Sequence, residues 1–136
     1  MDYITAIISR YETDLQMVKR NGMILELVKE KTYEICWEAI NQIGMALLFV
    51  NKQTPELCLA AVKKDASCIQ LVKEQTNELC LIALKNNPWC FQHVITMSEE
   101  MWRLAVKKDG RILYQIKDIE LKLQLTREIT NELSEL

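Results

Sequence analysis

Five cysteines and a single histidine carry the most reactive side chains in this sequence, and their spacing limits what they can do. Cys36, Cys58 and Cys80 stand 22 residues apart, and so do Cys68 and Cys90. Thiolates that share one zinc ion lie within about 4 Å of each other. Equivalent residues on stacked helices lie about 9–10 Å apart, and no C-x-x-C pair occurs. His93 follows Cys90 by one helical turn, as in a Cys–His nucleophile, but no third group is placed to orient the imidazole. No G-x-S-x-G, phosphate-binding loop, H-E-x-x-H or paired-carboxylate motif appears. The residues therefore predict a protein without catalysis, metal or cofactor. An odd cysteine count on apolar faces fits reduced thiols acting as small hydrophobes, and a cytoplasmic setting.

The cysteine columns belong to a wider pattern. Val18, Ile40, Val62, Leu84 and Val106 start five ungapped lines of 22 residues. A fixed period of this length marks stacked supersecondary units, each unable to bury its apolar face alone. Glycine occurs only at Gly22, Gly44 and Gly110, always at the fifth position of a line, where the other lines have Ala66 and Pro88. Asn21, Asp65, Asn87 and Asp109 precede it, with Ile43 the exception. Such a pair ends one helix and starts another, either by a left-handed glycine C-cap or by an Asn or Asp N-cap. A second joint lies at Thr32, Thr54, Thr76 and Ser98. Glu34, Glu56, Glu78 and Glu100 follow two residues later, near the positive end of a helix dipole. Each line thus predicts two short helices of roughly eight to ten residues.

Apolar positions set the faces. Leu57, Cys58, Ala61 and Val62 share one side of a first helix, and Leu47 with Val50, or Ile69 with Val72, one side of a second. The alanine column Ala39, Ala61, Ala83 and Ala105 predicts close helix approach. The pattern loosens at both ends, as caps of an array should. The expected architecture is an all-α superhelix, an α-solenoid of about five helical hairpins. Residues 1–17 form an N-terminal cap, 18–118 the repeats and 119–136 a C-terminal capping helix, all one structural domain.

The unit TPELCLAAVKKD…LVKEQT with its D/N-G joint resembles a family of uncharacterised tandem helical repeats of bacterial, phage and viral proteins. That family is known only as a domain of unknown function. The resemblance covers about residues 18–118 and rests on Thr54, Glu56, Cys58, Leu59, Ala61, Val62 and Lys63. It implies an α-solenoid and no activity. The fourth line departs most, with Trp89, His93, Met97 and Trp102 in or near otherwise regular columns.

With catalysis set aside, binding is the expected role. Trp37, Leu59 and Leu81 occupy a column at the margin of the apolar face, and Met23, Met45 and Trp89 a similar column on the second helices. Tryptophan and methionine at such margins are common partner anchors. These six residues are the candidate protein-binding surface. The partner expected is another protein, with the chain as a small adaptor or inhibitor. One version is a phage- or mobile-element-encoded inhibitor of a bacterial defence nuclease. An alternative is nucleic-acid binding along a lysine edge of Lys63, Lys64, Lys85, Lys107 and Lys108. Asn41 and Gln42 interrupt that edge, no aromatic ladder accompanies it, and the net charge of −2 weighs against it. The opening MDYITAIISRYETD lacks a basic region and predicts no secretory signal, and no apolar run is long enough for a membrane span.

Overall fold

The computed structural model describes residues 2–136, and within them the chain is all-helical, with no strand. Six α-helices alternate with five 3-10 helices. The α-helices are α1 (Tyr3–Arg20), α2 (Tyr33–Gln42), α3 (Pro55–Lys64), α4 (Asn77–Asn86), α5 (Glu99–Lys108) and α6 (Ile119–Ser134). The 3-10 helices are η1 (Gly22–Leu27), η2 (Gly44–Phe49), η3 (Ala66–Leu71), η4 (Pro88–His93) and η5 (Gly110–Gln115). The first helix of each repeat is α-helical as expected. The second is a six-residue 3-10 turn rather than an α-helix of eight to ten residues. Its sequence explains the difference. A 3-10 helix has three residues per turn, so residues three apart line up. Gly22, Leu25 and Val28 keep that spacing and are all buried, as do Gly44, Leu47 and Val50, and Ala66, Ile69 and Val72.

Both joints are built by side-chain caps. The backbone N–H groups of Ile35, Leu57, Leu79 and Met101 donate to the hydroxyls of Thr32, Thr54, Thr76 and Ser98 at 3.2–3.3 Å. At the other joint Asn21, Asp65, Asn87 and Asp109 serve two helices at once. Their N–H groups donate to carbonyls four residues back, which closes the α-helix. Their side-chain oxygens accept from the N–H two residues on, which opens the 3-10 helix. The left-handed glycine cap is not used, since no described residue has a positive φ.

Glycine is needed at this joint for proximity. A methyl group on Gly22 would stand 2.3 Å from the Ala39 carbonyl oxygen, and one on Gly44 2.9 Å from that of Ala61. Each lies between one repeat's 3-10 helix and the next repeat's α-helix, and the alanine column is fully buried at this contact. Gly110 at the C-terminal end faces open space.

Elements pack against their sequence neighbours. Helix α2 touches α1, α3, η1 and η2, and η2 touches η1, η3, α2 and α3. The core is a single cluster running from Val18 to Leu125, entirely apolar in its buried members. Helix α1 is continuous to Arg20, so the expected cap boundary at residue 17 falls inside it. Its first two turns overhang and expose Tyr3, Ile4, Ile7 and Ile8. No helix among the described residues is long and apolar enough to cross a membrane.

Candidate functional site

Helices α2, α3 and α4 each bury four of their ten side chains and α5 buries three, Met101, Ala105 and Val106; the rest are partly or fully exposed. Glutamates sit in the first turn, lysines in the last turn of α3, α4 and α5, and apolar side chains between. Seven residues of helix separate Glu78 from Lys85, about 10 Å along the axis. Between α4 and α5 this order opens an outward groove of about 450 Å3. Leu81, Ile82 and Leu104 supply its apolar lining, Glu78 and Glu100 its acidic end, Lys85 and Lys107 its basic end. A second groove of about 300 Å3 between α3 and α4 is lined by Pro55, Leu59, Leu79 and Ile82, with Glu74 and Glu78 beside them. Arg103 stands where the leucine column would continue. Its guanidinium donates to Glu99 at 2.6 Å and to Glu128 of α6 at 2.8 Å. These two carboxylates hold the guanidinium's pKa above its ordinary value, Glu128 contributing more.

The sequence-derived candidates divide between two places. Leu59 and Leu81 line the outward grooves. Trp37 lies on the same column, half-buried, stacked on Tyr33 at a centroid distance of 6.1 Å. Met23, Met45 and Trp89 stand at the starts of 3-10 helices and line neither groove. Met45 lies 3.8 Å, sulfur to sulfur, from the buried Cys68. The Trp89 indole N–H donates to the Asp109 carboxylate at 2.9 Å, beneath the Arg111 guanidinium. Arg111, then Trp89, hold that carboxyl well below its usual pKa. Trp89 is thus tied to the next repeat. Lys63, Lys64, Lys85, Lys107 and Lys108 are all exposed, and Lys107 reaches Glu132 at 3.9 Å. Gln42, which breaks the lysine edge, accepts from the Gly22 N–H at 3.0 Å.

All five thiols are buried. Burial pushes Cys68 and Cys90 up to about 11 and raises the other three. Cys90 is therefore a protonated thiol at neutral pH, while His93 is exposed. Among the described residues no cluster of His, Cys, Asp or Glu has the arrangement of a metal site.

A glutamine pair was not foreseen from the sequence. The Gln53 carboxamide donates to the Leu71 carbonyl at 2.8 Å and accepts from the Lys73 N–H at 3.0 Å. One repeat on, Gln75 does the same to the His93 carbonyl and the Ile95 N–H, both at 2.9 Å. Each amide thus imitates a strand's peptide group against the next repeat's extended segment. Two glutamines 22 residues apart were the available signal. Comparison with protein-family models, curated proteins and solved structures finds no significant match.

Proposed function

We propose that this chain is an α-solenoid of five α/3-10 hairpins that binds another protein through the outward grooves of its α-helices. The solenoid reading is supported by the contacts, which join each α-helix to the α-helices one repeat away and run likewise along the 3-10 helices from η1 to η4. An array of local contacts presents a broad preformed surface, so binding costs little ordering. The observation that carries the binding reading is the α4–α5 groove, where Leu81, Ile82 and Leu104, with Arg103 beside them, lie between an acidic end and a basic end. A complementary partner is an amphipathic polypeptide segment with an apolar face, basic residues toward Glu78 and Glu100, and acidic residues toward Lys85 and Lys107. The role is that of a non-catalytic adaptor or inhibitor. An inhibitor of a bacterial defence nuclease remains one version of it.

The test compares capture by the wild-type chain and by an Ile82→Glu/Leu104→Glu variant, from lysate of the source cells. Circular dichroism reports whether the variant stays helical. A partner lost by a helical variant supports the groove, and a partner retained by it places the contact elsewhere. The lysine edge is tested with RNA and DNA oligonucleotides at low salt. Phosphate contacts weaken steeply with rising salt, and tight binding that does so would replace the protein-binding reading.

A further inference from the structure

The glutamine pair defines what an occupied repeat junction looks like, and two junctions depart from it. Lys31, whose ammonium donates to the Val28 carbonyl, holds the position in the first repeat. The other departure is the fourth junction, which opens a cavity. At the second and third junctions a side-chain amide spans one carbonyl and one N–H of the following repeat. Met97 holds the equivalent position in the fourth repeat. A thioether has no N–H to give and accepts only weakly. The groups it would have served are the Gln115 carbonyl and the Lys117 N–H. Neither has a hydrogen-bond partner among the described residues, although Ile116 between them closes η5 normally.

A cavity of about 400 Å3 opens at this place. Met97 and Ile116 line it, Phe91 and Trp102 form an aromatic wall with centroids 5.2 Å apart, and Gln115 and Lys117 stand on its rim. It thus joins an apolar wall to an acceptor and a donor at the two repeat positions that one carboxamide bridges at Leu71 and Lys73 and at His93 and Ile95.

The geometry points to a carboxamide-binding site at the fourth junction, which takes a glutamine or asparagine side chain of a protein partner between the Gln115 carbonyl and the Lys117 N–H. The aliphatic stem lies against Phe91, Trp102 and Met97, and the amide repeats the two bonds that Gln75 makes within the chain. The site lies on the loop edge rather than in the α-helical grooves, so it stands or falls independently of them.

The probe is capped glutamine (N-acetyl, N-methylamide), with capped methionine as the apolar match that keeps the same backbone amides. Both are titrated at millimolar concentration into 15N-labelled wild-type protein. The expected result is a downfield shift of the Lys117 amide proton with capped glutamine and none with capped methionine. In Met97→Gln the resident amide fills the site. Lys117 exchange with solvent then slows by about tenfold, the return of a recovered hydrogen bond, and the glutamine-induced shift disappears. Equal shifts from both probes, or no shift from either, overturn the proposal. So does an undiminished shift in folded Met97→Gln. The two-probe comparison on wild-type protein decides the matter by itself if that variant does not fold.

Discussion

Replacing each glycine in turn by alanine separates close packing from backbone conformation. No described glycine has a positive φ, so alanine meets no conformational strain at any of the three. What differs is space. An added Cβ on Gly22 lies 2.3 Å from the Ala39 carbonyl oxygen and 2.8 Å from Ile43 Cγ2. Ordinary contact begins near 3.4 Å, so η1 must retreat from α2 by about 1 Å. That movement pulls the Gly22 N–H away from Gln42 as well. Overpacking of this kind costs about 1–3 kcal/mol. Alanine recovers about 0.4–1 kcal/mol by restricting the unfolded chain. Gly22→Ala should therefore destabilise by roughly 1–2 kcal/mol. Gly44→Ala is milder, because its nearest neighbours stand at 2.9 and 3.0 Å and one is the Cys68 sulfur. Gly110→Ala meets nothing within 4 Å and should stabilise by about 0.5 kcal/mol. Urea unfolding followed by circular dichroism measures all three. The expected order of stability is Gly110→Ala above wild type, then Gly44→Ala, then Gly22→Ala. Gly22→Ala as stable as Gly110→Ala would refute the close approach of η1 to α2.

Gln75→Leu should cost about 0.5–1.5 kcal/mol, because it removes the bonds to the His93 carbonyl and the Ile95 N–H, both exposed enough for water to take the amide's place; an unchanged urea midpoint would count against the inter-repeat amide clamp. Native protein should resist thiol-specific labelling at neutral pH, with all five cysteines reacting in denaturant, since each is buried and Cys68 and Cys90 titrate near 11. Rapid modification of any one in the native state contradicts the packing of its column. The depressed Asp109 carboxyl contributes stability that is complete above its unfolded pKa near 3.8 and is lost as pH falls toward the lower folded value. Thermal melts between about pH 5 and 2 should therefore fall more steeply for wild type than for Asp109→Asn, and parallel curves would dissociate Asp109 from the Trp89–Arg111 contact.

Much of the fold was legible because the period aligns residues that share a physical task. The threonine column announced helix starts, and the structure puts an N-cap hydrogen bond at each. The alanine column announced close approach, and every member is fully buried. The second element differs in type from the sequence expectation, being 3-10 rather than α. Leu47 and Val50 are three apart, which fits one face of an α-helix and a 3-10 helix alike. The discriminating clue was Gly44, three residues earlier again, since an unbroken three-residue spacing favours 3-10. The site was less legible. A side chain's type does not say whether it turns to solvent or to the next repeat, and Trp89 turned out to hold Asp109. Leu104 lies outside the Trp37 column, so the periodicity of that column does not point to it. The groove needs residues from two adjoining positions on two helices.

The breaks in the columns were as informative as the columns. Gln42 interrupts the lysine edge and accepts from the Gly22 N–H of the preceding repeat. Arg103 interrupts the leucine column and holds Glu128 of α6, joining the last regular α-helix to the terminal one. Trp89 enlarges a methionine position and takes a hydrogen bond across to Asp109. In each case a lost repeat residue is replaced by a polar bond to a neighbouring unit, which a uniform array would not need. Met97 departs in the opposite sense, because it removes such a bond and leaves two backbone groups free beside a cavity. Gln115 and Lys117 are exposed, so water can serve those two groups and the lost bond costs the chain little, while the cavity beside them keeps the position open to an outside amide.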